Sequence, residues 1–192
     1  GNSLRNPNNI MACVKHFALY GAAESGRDYN TVDMSLYKMQ NEYLPPYRAA
    51  INAGVGSVMT SFNDINGVPA SCNDFLIQEI LRESWGFKGM IVTDYTAINE
   101  LVNHGVGNEI EVTQKAIKAG TEMDMVGEFY LKNLENIVSG NSEYLEYVNR
   151  ACRNILMSKY RLGLFDDPYR GMKDDNSDIL LSKENQKWAQ KS

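Results

Sequence analysis

The sequence has few cysteines and histidines, and their scarcity limits the metal and redox chemistry open to it. Its three cysteines, Cys13, Cys72 and Cys152, are widely spaced and form no CxxC pair, a pattern that predicts neither a disulfide framework nor a dithiol site. His16 and His104 are its only histidines, which excludes a three-histidine metal site within the chain. We expect no cofactor. A hard-cation site between carboxylates is a minor alternative, since no ligand spacing supports it.

The sequence also lacks the features of membrane and nucleic-acid-binding proteins. No apolar run approaches the roughly 18 residues of a membrane span. Lysine and arginine total 19 against 24 acidic residues, for a formal charge of −5, which is the wrong sign for a phosphate-binding surface. We expect neither a membrane nor a nucleic acid as partner. The first residues, GNSLRNPNNI, have no basic start and no apolar core, so they do not predict a signal peptide.

What is present is the composition of one ordinary globular domain. The chain has 192 residues, of which 43% are hydrophobic and 22% charged. At about 150 residues per domain this length allows one sizeable core and not two. Disorder, collagen and coiled coil are therefore excluded as main structures.

Four apolar segments, each followed by a helical pattern, predict an α/β fold with a parallel sheet covered by helices. A complete eight-stranded barrel takes about 250 residues, so four units would be half of one. A four-stranded doubly wound sheet fits the length better, but no GxGxxG or GxxxxGK[ST] follows the first strand. The pattern leaves both architectures open. The four expected strands span residues 10–17, 55–62, 89–93 and 122–126.

Polar residues follow each expected strand, at the edge where parallel α/β proteins bind ligands. Asp94 directly follows an apolar segment, and it is either a catalytic carboxylate at the rim or a cap for the next helix. Lys15 is either a Schiff-base lysine or a fixed cation for hydroxyls or a carboxylate. Spacing alone does not choose between these alternatives. The full set of strand-end residues is Lys15-His16, Asn63-Asp64, Asp94-Tyr95 and Asp124.

An ordered set of motifs covering residues 10–170 closely resembles glycoside hydrolase family three, in the branch of bacterial β-glucosidases. Each motif is weak by itself, but their order is specific. The motifs are VKHF (14–17), GRDYN (26–30), YLPPY (43–47), NGVP (66–69), WGFKG (85–89), VTDY (92–95), MDM (123–125) and KYRLGLF (159–165).

The resemblance implies four β-α units of a parallel barrel, the second half of a TIM-type (β/α)8 barrel. Residues 1–165 would be this half barrel, and residues 166–192 a linker toward an α/β sandwich domain that is absent here. An isolated half barrel exposes two open sheet edges. We therefore expect either a homo-oligomer or pairing with the missing barrel half and sandwich domain. Relatives of this kind are usually periplasmic or secreted, which is the localisation that the resemblance implies.

The implied reaction is retaining, exo-acting hydrolysis of terminal β-D-glucosyl residues from a β-glucoside or oligosaccharide. Such enzymes use a carboxylate nucleophile and a carboxylic acid that protonates the leaving oxygen. Asp94 matches the family's nucleophile, and Lys15 and His16 match the pair that holds sugar hydroxyls. Arg27 matches a positioning arginine, and Met59 matches a wall of the sugar subsite.

The sequence departs from the family pattern in ways that bear on specificity. Phe62 replaces the tyrosine of many members and so loses a hydroxyl contact, and Tyr95 replaces a tryptophan that stacks on the aglycone. The general acid of the glucosidase branch lies in the sandwich domain, outside this chain. The N-acetylglucosaminidase branch places a histidine in the loop after Lys15-His16, and residues 18–27 contain none. The alternatives are a barrel lyase or aldolase that uses Lys15, and an inactive, self-associating half barrel.

Overall fold

Three parallel strands form the centre of the molecule. The computed structural model describes residue 4, residues 9–172 and residues 180–191. The sheet has the strand order β1-β2-β5, and a separate two-stranded antiparallel hairpin is formed by β3 and β4. The strands are β1 (Cys13–Phe17), β2 (Ser57–Thr60), β3 (Asp64–Ile65), β4 (Val68–Pro69) and β5 (Met90–Val92).

The order of the parallel strands decides between the two architectures left open by the sequence. β1 pairs with β2, and β2 pairs with β5, each time in parallel, so strands that follow one another along the chain are neighbours in the sheet. A doubly wound sheet reverses its strand order at a switch point, whereas a barrel adds each strand to the same side. The segment at Met123 continues this order beside β5, so four segments follow one another without a switch point, as in a segment of a barrel.

The expected fourth strand, residues 122–126, is reduced to a single parallel bridge between Val92 and Met123. The segment still runs beside β5, because the Thr93 amide donates to the Met123 carbonyl at 2.9 Å. It pairs on one side only, and Val126 and Glu128 then take left-handed backbone angles that turn the chain into the next helix. The prediction of a strand here was right in position and too long in extent.

Helices follow the strands along the chain, as the sequence pattern predicts. Pro45 and Pro46 begin one helix at its first positions, where a missing N–H costs nothing. Gly120 ends another with a φ of 103°, a conformation that glycine adopts easily. The helices are α1 (Leu36–Lys38), α2 (Pro45–Asn52), α3 (Ala97–Asn103), α4 (Glu109–Ala119), α5 (Phe129–Gly140), α6 (Tyr144–Arg161) and α7 (Lys183–Ala189), with π-helical segments at Met39–Tyr43 and Phe75–Ser84.

The core lies between the sheet and these helices. Phe17, Val58 and Ile91, one from each parallel strand, are buried and pack with apolar residues of the Phe75–Ser84 segment. A second, smaller cluster joins α3 to α4 through Ile98, Leu101, Val112 and Ala116. Burial of these side chains fixes the strands, and so fixes the direction in which their carboxyl ends point.

A buried ion pair ties the last part of the chain to the sheet. Glu122, which is 4% exposed, accepts from Arg82 Nη2 at 2.7 Å, from the Ile91 amide at 2.8 Å and from Asn154 Nδ2. Arg82 also donates to the carbonyls of Phe87 and Gly89. This network joins the Phe75–Ser84 segment, β5 and α6.

The segment after residue 165 contains turns at residues 166–171 and, further on, α7. Residues 173–179 of the predicted linker lie outside the described residues, and its boundary at residue 166 remains a prediction. In the described parts of the chain, no helix combines the length and the apolar character needed to cross a membrane.

Candidate active site

Asp94 lies directly beyond β5, at the carboxyl edge of the sheet. Its Oδ1 accepts a hydrogen bond from the Tyr95 amide at 2.7 Å. The cap position of the following helix, α3, is occupied by Thr96, and no side chain caps that helix. The capping interpretation of Asp94 is therefore wrong, and the carboxylate is free to face the crevice above the sheet.

His16 is the side chain that meets this carboxylate. Its Nε2 lies 3.4 Å from Asp94 Oδ2, and the two side chains are 26% and 16% exposed. β1 carries His16 and β5 precedes Asp94, with β2 between them, so the contact spans three neighbouring strands. The pair forms because both residues lie at the carboxyl ends of their strands, where a barrel segment curves inward.

The surroundings of His16 hold its imidazole in the neutral form at neutral pH. Burial lowers the pKa of His16, the nearby Lys15 charge lowers it further, and Asp94 acts in the opposite direction. The Tyr47 hydroxyl donates to the backbone carbonyl of His16 at 2.5 Å, which fixes the strand end. A neutral imidazole beside a carboxylate can donate one hydrogen bond and accept another.

Aromatic rings continue the site away from His16. The Tyr20 ring meets the imidazole edge-on with centroids 5.4 Å apart, and Phe62 lies 6.2 Å from Tyr20. The Tyr29 ring lies 4.5 Å from Phe62. Burial, followed by the charge of Asp28, raises the pKa of Tyr20 to about 12, so its hydroxyl stays protonated.

The two predicted cations are placed differently from each other. Lys15 lines a cleft of about 320 Å³ together with Tyr20 and Tyr47, and its charge reaches His16. Arg27 lies exposed in the loop after β1, where its backbone is held by Glu24. Among the described residues, neither cation forms an ion pair with a carboxylate.

The remaining predicted residues lie around the same edge of the sheet. Met59 is half-buried on β2 and is in register with Val92 of β5. Phe62 is half-buried in the aromatic group described above. Tyr95 is 59% exposed next to Asp94. The roles of these three residues toward a substrate remain proposals.

Two other strand-end carboxylates do not join the site. Asp64 pairs with His104, Oδ1 to Nδ1, at 2.9 Å. Asp124 accepts from the Phe129 and Tyr130 amides at 2.8 and 3.3 Å, so it caps the start of α5. Of the polar residues that follow the strands, these two carboxylates are held by structural partners and are not part of the site.

Sequence reasoning did not single out Tyr20 or Tyr29. Both lie in the polar loop after β1, and only the closeness of that loop to Phe62 brings the rings together. An aromatic residue in a loop rich in small polar residues is the signal that could have found them. In the described part of the chain, no group of three or more His, Cys, Asp or Glu side chains could hold a metal ion.

Comparisons with known proteins agree with this architecture. Residues 2–157 match the family "Glycosyl hydrolase family 3 N terminal domain". A "Periplasmic beta-glucosidase" of Salmonella typhimurium is 42% identical over 93% of this chain and 23% of its own length. A "Beta-xylosidase" of Formosa agariphila is 36% identical over 86% of this chain and 24% of its own.

A solved structure matches equally well. The crystal structure of a β-glucosidase from Listeria innocua in complex with glucose superposes with a TM-score of 0.91 at 37% identity, covering 100% of this chain and 27% of that one. The chain thus spans about a quarter of the length of these relatives. The match confirms the predicted partial barrel and does not favour the lyase alternative for Lys15. On the sequence, the strand order and these comparisons, the chain belongs to glycosyl hydrolase family 3 and corresponds to part of its N-terminal domain.

Proposed function

We propose that this chain supplies the nucleophile and part of the sugar subsite of an exo-acting, retaining β-glucosidase. The observation that carries the proposal is Asp94, a carboxylate at the end of a barrel strand that caps no helix and faces His16 at 3.4 Å. Catalytic groups of parallel barrels lie at this edge. The substrate is a terminal β-D-glucosyl residue of a glucoside or oligosaccharide, in line with the names of two of the relatives.

In the first step, an Asp94 oxygen attacks the anomeric carbon as the bond to the leaving oxygen breaks. The leaving oxygen takes a proton from a general acid that lies outside these 192 residues. Water then attacks the glycosyl–Asp94 intermediate and gives its proton to the deprotonated general acid, so that two inversions give net retention. Lys15 and His16 hold the sugar hydroxyls, and Arg27 is a positioning arginine near Asp94. Met59 forms a wall of the sugar subsite, and Phe62 and Tyr95 complete the set of substrate-binding residues.

A neutral imidazole at His16 suits the binding of sugar hydroxyls beside a carboxylate nucleophile. Because burial keeps its pKa low, the imidazole does not neutralise Asp94 by forming a tight ion pair at neutral pH. The nucleophile keeps its negative charge available for the anomeric carbon, and Nε2 or Nδ1 can still contact a hydroxyl.

The site is incomplete without further polypeptide. The partners that we propose are the other half of the barrel and the sandwich domain, either in one polypeptide or through a second chain. We propose a periplasmic or secreted location, which rests on the name of the Salmonella relative.

The test is covalent trapping in the complete natural polypeptide that contains this sequence. The protein is incubated with a 2-deoxy-2-fluoro-β-glucoside bearing a very acidic phenol, and its intact mass is measured. This leaving group departs without protonation, and the fluorine slows hydrolysis of the intermediate. We expect one added fluoroglucosyl group, located on Asp94 by peptide mapping, because Asp94 is the attacking carboxylate.

Matched variants make the result specific. Asp94→Asn should abolish labelling, while Glu135→Gln, which removes an exposed carboxylate on α5, should label like the parent protein. Labelling on another residue, or labelling that survives Asp94→Asn, would refute the assignment. Borohydride trapping of a carbonyl substrate on Lys15 would instead support the lyase alternative.

A further inference from the structure

The strand that carries His16, β1, is irregular near its end. β1 pairs with β2 at Val14 and Val58, and then, after a shift of register, at Phe17 and Thr60. The two residues of β1 between these pairs, the second of them His16, lie opposite a single residue of β2, which is the count of a β-bulge. A bulge disrupts the ladder of hydrogen bonds locally, so the backbone there needs other partners.

A side chain from the following helix supplies one of these partners. The Tyr47 hydroxyl donates to the His16 carbonyl at 2.5 Å. Tyr47 lies in the first turn of α2, which begins with Pro45 and Pro46, so its backbone is fixed by the helix and not by the sheet. Burial raises the pKa of Tyr47, which keeps the hydroxyl protonated and able to donate at neutral pH.

The ring of Tyr47 is held by packing. It meets the buried Phe17 ring edge-on, with centroids 5.3 Å apart. The two carbonyls that follow His16 along the chain, those of Phe17 and Ala18, accept from the amide and the hydroxyl of Ser61 at 2.8 and 3.0 Å. Removing the Tyr47 oxygen alone would therefore leave the ring contact and these two bonds in place, and would free the His16 carbonyl from the helix.

We propose that Tyr47 is a positioning residue, whose hydroxyl holds the end of β1 so that the His16 imidazole stays against Asp94. The contact that it sets is the 3.4 Å between His16 Nε2 and Asp94 Oδ2. Misplacement of a group by about 1 Å at a reacting site can cost about a hundredfold in rate. The inference rests on the proposed function, because it needs Asp94 to attack a glycoside, and Tyr47 acts through His16 and not on the sugar.

The test is the rate of covalent trapping in the complete natural polypeptide. The probe is the same 2-deoxy-2-fluoro-β-glucoside as for the proposed function, and labelling is followed by intact mass over time. Tyr47→Phe keeps the ring and removes the oxygen. We expect the second-order rate constant of trapping to fall about tenfold, the effect of one lost hydrogen bond. The label should still be a single group on Asp94.

Tyr130→Phe is the matched control. The Tyr130 hydroxyl also donates to a backbone carbonyl, that of Thr121, at 2.7 Å, and neither residue belongs to the proposed site. Each variant removes one bond from a tyrosine hydroxyl to a carbonyl, so the urea midpoints of both should fall by similar amounts. Only Tyr47→Phe should slow trapping.

A double variant tests whether Tyr47 acts through His16. His16→Gln removes the imidazole that Tyr47 is proposed to position. If that is the route, adding Tyr47→Phe to His16→Gln should not lower the trapping rate constant further. Two independent effects would multiply, so a further tenfold loss in the double variant would overturn the positioning role.

The other results are equally decisive. Equal slowing by Tyr47→Phe and Tyr130→Phe would make the loss a structural one, and trapping of Tyr47→Phe at the parental rate would remove Tyr47 from the site. In either case, labelling of the parent on Asp94 would show that this inference alone fails. If the parent is not labelled on Asp94, the proposed function fails and the positioning role with it.

Discussion

Three aspartates follow strands of this fold, and their neighbours decide what each can do. Asp124 accepts two backbone N–H groups at the start of α5, and Asp64 is held by His104. Asp94 accepts one local amide and otherwise faces His16. A carboxylate that already has strong donors is stabilised in place. In Asp94, only Oδ1 accepts a backbone hydrogen bond, so Oδ2 is available to react.

The titration of His16 tests the description of this pair. Burial and the Lys15 charge lower the pKa of His16 below 6.5 despite Asp94. In NMR titrations we expect the imidazole signal to have a midpoint below 6.5. The sequence holds two histidines, so a His16→Gln variant assigns the two signals. A midpoint at or above 6.5 would show that Asp94 dominates and that the pair is ionic.

The same shift has a consequence for stability. A histidine whose pKa falls on folding binds its proton more weakly in the folded chain than in the unfolded chain. Its contribution therefore lowers the free energy of unfolding as pH falls from 6.5 through the folded pKa. His16→Gln should lose less stability over that interval than the parent, as followed by urea midpoints at several pH values.

At the scale of single residues, the sequence singled out Asp94 but did not predict its contact with His16. The position of Asp94 after an apolar segment singled it out without choosing between catalysis and a helix cap, and its role as nucleophile rests on the family resemblance and stays a proposal. Its contact with His16 depends on the two strands lying on either side of β2, and no local pattern encodes that. The ring contacts of Tyr20 and Tyr29 were missed for the same reason, since they depend on how the loop folds over Phe62.

At the scale of helices and strands, a single buried ion pair joins three parts of the chain. Glu122 follows α4 and lies beside β5, and Arg82 lies in the Phe75–Ser84 segment. Burial raises the pKa of Glu122 and lowers that of Arg82, and in each case the partner's charge opposes the shift. Both charges depend on their hydrogen bonds, because neither is well solvated.

Removing Glu122 should therefore be costly. Glu122→Ala leaves the Arg82 guanidinium without its counter-charge and removes the acceptor of the Ile91 amide. We expect the free energy of unfolding to fall by about 3–5 kcal/mol, the range for breaking one partner of a buried pair. Urea denaturation measures the change.

The exposed pair of Glu128 and Lys132 is the matched control. Its nitrogen and oxygen lie 3.0 Å apart, but its side chains are 59% and 56% exposed, so Glu128→Gln should not measurably change stability. The double variant Arg82→Met with Glu122→Leu should be milder than Glu122→Ala, because no charge is left unpaired. Equal effects of Glu122→Ala and Glu128→Gln would show that the buried network does not hold the elements together.

Helix ends carry local signals in the sequence. Gly120 ends α4, and the apolar residues of that helix have helical spacing. Strands have no such local ends, and each lasts only as long as a neighbour pairs with it. The fourth segment was therefore overestimated, since only β5 lies beside it.

At the scale of the whole molecule, the described residues leave two strand edges unpaired and an apolar face exposed. Among the described residues, β1 and the Met123 segment each have a neighbour on one side only. On α6 and the turn after it, Leu156, Tyr160 and Phe165 are 44%, 53% and 62% exposed and line a shallow cleft. Open strand edges and a contiguous apolar face both favour association.

These surfaces predict that the isolated chain does not stay a monomer. Light scattering across a wide concentration range should give a mass above the 21.6 kDa of one chain. Leu156→Lys should lower that mass if the α6 face contributes, because it places a charge on the apolar cleft. A clean monomer at every concentration would contradict the prediction. The half barrel would then satisfy its open edges within one chain, and the need for further polypeptide would rest only on the general acid that we propose lies outside these residues.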